Sequence, residues 1–339
     1  MALTINTNIS SLIAQRNLNS ATSALNTSIE RMTTGYKINH AKDNAAGYSI
    51  ANLWQTQLGT LDVAADNAAT GSDMLTTAEE TYGLLTSHLQ RIRDLTEQAA
   101  NGTYGSASLK AIQSEIYARL QEINRISANS EFNGIKLMSY TEDGDGSGIT
   151  SAGINLQVGL YADENSRINL KSELFSNASM SGLFKGLASV NSESGKSLSD
   201  IIKAAGNQNG DINALGDEEN IEAFAAACCG LIYDSATDDF WLQGSADFGA
   251  KEMLKFLDLA IDEISGRVTE IGSAQNRVSS AMEALTVQSE NLTSSLSTLR
   301  DADIAEESSN YIQAQILQQA AATLLSTANQ QPSIALSLI

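Results

Sequence analysis

The chain has 339 residues, with 40 Asp and Glu against 20 Lys and Arg, giving a net charge of −20. That balance excludes a nucleic-acid binder or a protein drawn to anionic membranes. Two cysteines and two histidines exclude a disulfide framework, a zinc site and the paired-histidine metalloprotease motif, and no cofactor is implied.

Residues 1–34 place Ile5, Ile9, Leu12, Ile13, Leu18, Leu25, Ile29 and Met32 at mixed three-, four- and seven-residue spacings, which predicts an amphipathic helix. The start, MALTINTNISS, lacks the basic region and apolar core of a Sec-type signal peptide. Arg16 is the only charged side chain in residues 1–29, and residues 308–339 contain none. With Ile312, Ile316, Leu317, Leu324 and Leu325 at helical spacing, the far end matches the near one. Uncharged amphipathic helices favour burial against other protein over water, and these are too rich in Gln and Asn for lipid.

Residues 35–60 interrupt the first helix with Gly35-Tyr36-Lys37-Ile38-Asn39 and Asn44-Ala45-Ala46-Gly47, a joint between helical layers. Heptads then run in two rows. One is Leu61, Ala68, Leu75, Tyr82, Leu89, Thr96; the other is Ala64, Gly71, Ala78, Leu85, Ile92, Ala99. Asn101-Gly102-Thr103-Tyr104-Gly105 ends that helix, and Leu109, Ile112, Ile116, Leu120, Ile123 and Ile126 mark another. Residues 142–148 read as a loop. Ile154–Leu160 and Arg167–Lys171 read as a β-hairpin. Further on, Leu198–Ala205 and Glu218–Cys228 predict short helices, and Leu231–Tyr233 and Phe240–Leu242 short strands. Residues 142–252 hold 18 acidic and 6 basic side chains, so the centre is the solvated part.

The last long helix carries Leu257, Ile264, Ile271, Val278, Leu285, Leu292 and Leu299 seven apart, beside a weaker row, Leu254, Ile261, Val268, Gln275, Met282, Ser289 and Leu296. Its expected partners are the Leu61–Ala99 and Leu109–Ile126 helices. Pro332 is the only proline, as long unbroken helices require. The fold class is therefore mainly α: a long coiled-coil bundle formed by both chain ends, with a β-hairpin and a small α+β outer region.

Few residues suggest chemistry. Cys228 and Cys229 read as small buried groups on a helix, with a strained vicinal disulfide as the alternative. Asp238-Asp239 and Glu218-Glu219 read as solvated surface, His88 as structural, and the triplet Asn177-Ala178-Ser179 carries no weight without a Sec signal. There is no nucleophile–base arrangement and no phosphate loop.

The segments MALTINTNISSLIAQRNLN, GYKINHAKDNAAGYSIA, LRDADIAEESSNYIQAQILQQA and LLSTANQQP resemble those of bacterial flagellin, over residues 1–138 and about 255–339. The resemblance implies a secreted, non-enzymatic subunit that polymerises into the flagellar filament, with no nucleic-acid partner and no membrane insertion. It implies an inner-tube helix and joint in 1–43, outer-tube helices plus hairpin in 44–172, a variable exposed region in 173–250, an outer-tube helix in 251–299 and an inner-tube helix in 300–339. Ile5, Ile9, Leu12, Ile316, Leu317, Leu324 and Leu325 are the implied polymerisation residues. Other implied features are export by the flagellar type III apparatus, a chaperone on the C-terminal helix, and contact with filament cap and hook–filament junction proteins. A host Toll-like receptor would read the monomer at Gln90, Arg91, Leu95 and Glu115; the plainer reading of Arg91 and Glu115 is an ion pair. His40, Asn44, Tyr48 and Ala321 depart from the family's usual residues. The alternatives are a hook–filament junction protein, a flagellin with a catalytic centre and a non-polymerising coiled-coil effector.

Overall fold

The computed structural model describes residues 8–138, 149, 153–185, 197–205, 218–234, 239–242 and 249–337. Among them lie helices α1 (Ile9–Thr34), α2 (Ala45–Ala99), α3 (Ser106–Asn129), α4 (Met180–Lys185), α5 (Leu198–Ala204), α6 (Glu218–Cys228), α7 (Gly249–Arg300) and α8 (Ile304–Ser337). Three antiparallel two-stranded ribbons accompany them: β1 (Glu131–Phe132) with β2 (Ile135–Lys136), β3 (Ile154–Gln157) with β4 (Arg167–Leu170), and β5 (Leu231–Asp234) with β6 (Asp239–Leu242). The predicted fold class, hairpin, short helices and short strands are all present. The expected loop at 142–148, Ile5 and Asp238 lie outside the described residues.

The chain divides into a terminal unit, Met1–Asp62 with Thr286–Ile339, and a central unit, Val63–Leu285. α2 and α7 contribute residues to both. The core of the central unit follows from the heptads. From Ala68 to Ala99 both predicted rows of α2 are buried, with Leu75, Tyr82, Leu85, Leu89 and Ile92 at 0% exposure. On α3, Leu109, Ile112, Ile116, Leu120 and Ile123 are buried, and Leu257, Ile264, Ile271 and Val278 on α7 join the same cluster. Each such aliphatic contributes ~1.5–3 kcal/mol by leaving water.

On α7 the second buried row differs from the expected one. Met253, Ala260, Arg267 and Ala274 are buried, whereas Leu254, Ile261, Val268, Gln275 and Met282 are half-buried. A heptad seam alternates steps of three and four. Here the step after Leu257 is three, to Ala260, which puts alanines and Arg267 inside. The guanidinium of Arg267 is satisfied there by the carbonyls of Ser176 and Asn177, each at 3.4 Å, and by Glu263 at 3.2 Å. Gln275, a polar member of the weaker row, donates to Glu79 on α2 at 2.7 Å.

The ribbons close over this core. The amide of Asn67 donates to Gln157 at 3.2 Å, and the β3 side chain Leu156 presses on Gly71, where an added Cβ would stand 2.3 Å from a Leu156 methyl. Gly71 thus admits the hairpin. Tyr82 hydroxyl donates to the Leu174 carbonyl at 3.0 Å, and desolvation raises its pKa.

Candidate assembly interface

In the terminal unit α1 and α8 pack antiparallel, Asn8 donating to the Ala328 carbonyl at 2.7 Å and Arg31 meeting Glu307 at 3.8 Å. The buried positions on α1 are Ala14, Ala21 and Ser28; on α8 they are Glu307, Ala314, Ala321 and Ala328. Both sets repeat every seven residues. The seam is therefore a heptad seam of small residues, which lets two backbones approach closely but covers little apolar area. Its five alanines contribute ~0.8 kcal/mol each at one methyl per residue. Polar bonds add register: Ser11 hydroxyl to Asn329 at 2.7 Å and Gln318 amide to Thr22 at 3.1 Å.

Most large aliphatics of both helices face away from this seam, while Leu18, Leu25 and Met32 on α1 are half-buried. Exposure is 63% for Ile9, 58% for Leu12, 60% for Ile316, 53% for Leu317 and 62% for Leu324. Ile13, Ile29 and Ile312 are exposed as well, while Leu325 is half-buried. Leu317 and Leu324 also line a groove of about 860 Å³ along the helix pair, floored by Ala14, Ala21, Ala314 and Ala321. A helix pair that covers alanines and leaves Ile9, Leu12, Ile316, Leu317 and Leu324 wet carries a surface for further protein.

The joint fastens the pair. α1 ends at Gly35, whose N–H reaches the Arg31 carbonyl at 2.8 Å. The next residues form a short antiparallel bridge with the link between α7 and α8. Lys37 N–H donates to Arg300 at 2.7 Å, Ala302 N–H to Gly35 at 2.8 Å, and Tyr36 opposes Asp301. The Arg300 guanidinium lies 4.1 Å over the Tyr36 ring, and Lys37 Nζ donates to the Thr298 carbonyl at 2.8 Å. His40 reaches Glu30 at 2.7 Å, Asn44 accepts from Gly47 N–H at 2.9 Å to start α2, and Tyr48 is half-buried. Asp43 accepts the His40 and Asn39 N–H groups, which hold its carboxyl below the ordinary range.

On the central unit, Gln90 and Arg91 are exposed and Glu115 is half-exposed, but Leu95 is 2% exposed inside the core. Arg91 bonds Glu115 at 3.2 Å, and Glu115 also takes Arg119 at 3.0 Å; the two guanidinium groups, Arg119 foremost, lower its pKa. His88 is half-buried, and Cys228 and Cys229 are buried free thiols. The sequence reading passes over two features. One is the alanine heptad of the seam, whose small residues stand out little from a sequence rich in alanine. The other is the β1–β2 turn, signalled by Asn133-Gly134, both of which take positive φ (50° and 79°).

Paired ends that leave an aliphatic ridge uncovered define a structural subunit of a protein assembly. The profile of the bacterial flagellin N-terminal helical region matches residues 5–143, and that of the C-terminal helical region matches residues 254–339. Across the whole of both chains, the protein is 33% identical to Flagellin C of Vibrio cholerae serotype O1. It is 31% identical to Polar flagellin B/D of Vibrio parahaemolyticus serotype O3:K6 and 32% to Flagellin B of Vibrio anguillarum, again over full lengths. The chain belongs to the bacterial flagellins: it is a self-polymerising structural subunit of the flagellar filament, which serves motility, and not an enzyme. Flagellin homologues form an extracellular filament, and among the described residues no helix is long and apolar enough to cross a membrane.

Proposed function

We propose that copies of this chain join through the aliphatic ridge of α1 and α8. The single observation that carries this is the exposure of Ile9, Leu12, Ile316, Leu317 and Leu324 beside a closed alanine seam. Covering the exposed part of each is worth roughly 1 kcal/mol, while association of two bodies costs ~4–15 kcal/mol. One neighbour is therefore marginal, and an array in which each copy meets several neighbours is favoured. In that array residues 1–43 and 300–339 form the inner tube, 44–172 and 251–299 the outer tube, and 173–250 the solvent face. From the sequence, Ile5 is a further polymerisation residue, as is the half-buried Leu325.

The chain is exported unfolded by the flagellar type III apparatus, with a chaperone on the C-terminal helix, and is inserted under the filament cap beyond the hook–filament junction proteins. The uncharged ends support this reading, because outside the polymer they need either an escort or an unfolded state. A Toll-like receptor senses the monomer at Gln90, Arg91 and Glu115. The outward position of the Arg91–Glu115 pair supports that reading, with Leu95 acting from beneath as core.

The test is elongation of filament fragments by purified monomer. The full chain adds to the seeds, and a chain lacking residues 308–339 does not. Failure of the full chain to add removes the polymer reading; normal addition by the truncated chain removes the role of α8. For the receptor, Arg91→Ala lowers signalling by monomer, and unchanged signalling rejects that site.

A further inference from the structure

Cys228 ends α6 and Cys229 opens the turn after it, both side chains at 0% exposure, beside Ala225, Ala226 and Ala227, with α6 packed on α3. Both thiols are free. The backbone there is fixed on each side. Cys229 N–H donates to Ala226 at 3.0 Å, Gly230 N–H to Ala227 at 3.1 Å, and Gly230, at φ 66°, turns the chain into β5. Neighbouring Cα atoms are ~3.8 Å apart, short of the ~4.4–6.8 Å span of ordinary disulfides. The i→i−3 bonds of this last turn also hold successive side chains ~120° apart. A bond between these two sulfurs is therefore incompatible with the end of α6 as folded. The short Cα spacing holds in the unfolded chain too, but there the backbone and side-chain torsions are free to turn until the sulfurs meet, at the cost of ring strain.

We propose that Cys228 and Cys229 form a redox gate on folding: the central unit closes only around the dithiol, and a vicinal disulfide made beforehand keeps α6 out of the core. The oxidant is a small disulfide. One cysteine thiolate attacks it, releasing one small thiol and leaving a mixed disulfide. The neighbouring thiol, losing its proton to solvent, displaces the second small thiol and closes the ring. Two cysteine thiols are oxidised and one small disulfide is reduced to two thiols. Folding protects the dithiol in turn, since burial removes access and pushes the Cys228 thiol up to about 12, with Cys229 raised too. One consequence rests on the export reading above: a chain folding outside the cytosol must bury this pair before an oxidant reaches it.

The experiment uses the full chain. In native buffer a thiol reagent reacts about 100-fold or more slowly than in urea, because it must await local opening. Oxidised glutathione in urea yields a chain that has lost two hydrogens and carries no glutathione. On dilution that chain shows reduced helical signal and chymotryptic cleavage at Phe224 in α6, and dithiothreitol restores helical signal and protection. The double variant C228A/C229A, whose alanines fit the existing Ala225–Ala227 environment, refolds alike with and without oxidant. The gate is overturned if the ring-closed chain regains native protection without reductant. It is equally overturned if the pair does not close in urea, or if native thiols react as fast as unfolded ones. None of these readouts depends on polymerisation, so failure here leaves the filament reading untouched.

Discussion

The central unit and the terminal helix pair solve the same heptad problem with different residues. In the first, Leu85, Ile92, Ile116, Ile264 and Ile271 fill the seam at 0% exposure; in the second, the buried residues are Ala14, Ala21, Ala314, Ala321 and Ala328, and Ile9, Leu12, Ile316, Leu317 and Leu324 stay outside. Large residues inside make a fold that stands alone. Small residues inside make a pair that is held in register by polar bonds and leaves its large aliphatics uncovered. The comparison breaks if core truncation and seam overpacking act alike, or if the exposed ridge contributes to monomer stability.

The largest effect belongs to the central core. Ile271→Ala removes three buried carbon atoms and leaves a cavity, at a cost of ~2–5 kcal/mol in urea denaturation. Ala321→Leu acts in the other direction. Extra methylenes at a seam shaped for alanine separate α1 from α8 at ~1–3 kcal/mol, read as earlier melting of terminal helix signal with the central unit unchanged. If leucine is tolerated there, the close approach of the two backbones is not what sets the seam.

Alkali distinguishes the units by a different route. The Cys228 thiol has an ordinary value of 9.0 and stands at about 12 in the fold. Below pH 9 both states keep the proton, so its contribution is complete. Between 9 and about 12 only the unfolded chain releases it, and stability falls as pH rises. Comparing urea midpoints at about pH 8 and about pH 10, the central unit loses less in C228A/C229A than in the natural chain.

Much of this fold is legible from residue spacing. The rows of α2, the apolar face of α3 and the β3–β4 hairpin follow from periods of 3.5 and 2 bounded by turn residues. The end ridge is legible too, because uncharged helices with Ile9, Leu12, Ile316 and Leu324 need protein partners. Three things are not. The choice between the Leu254 row and the Met253 row depends on what packs beside α7, and spacing alone allows both. A buried Arg267 makes sense only once the carbonyls of Ser176 and Asn177 meet it. The bridge of Tyr36 with Asp301 joins positions far apart in the chain, so no local signal announces it. The alanine seam is an intermediate case: its seven-residue repeats are visible, but alanine occurs too often for the repeat to stand out.

Arg91→Ala tests the surface of the central unit with a smaller effect. Both partners of the Arg91–Glu115 pair are more than a third exposed, and Glu115 keeps Arg119 when Arg91 is lost. Exposed pairs contribute ~0.2–1 kcal/mol, and this one belongs at the low end. A loss of receptor signalling without a shift in the urea midpoint therefore assigns Arg91 to recognition rather than to holding α2 on α3.

The smallest effect on the monomer is expected where the effect on the polymer is greatest. Ile316→Ser and Leu324→Ser replace side chains already about 60% in water, so each changes monomer stability by no more than ~0.5 kcal/mol. Elongation from seeds falls sharply, because each substituted position recurs in every copy and the lost burial is multiplied along the array. Serine has a lower helix propensity than leucine, so α8 itself could be the cause; Ile316→Ala and Leu324→Ala, with the best helix former, separate the two. Alanine variants that elongate normally mean that the ridge is not the contact. Alanine variants that fail while the monomer melts unchanged place the assembly energy in the residues that the alanine seam leaves outside.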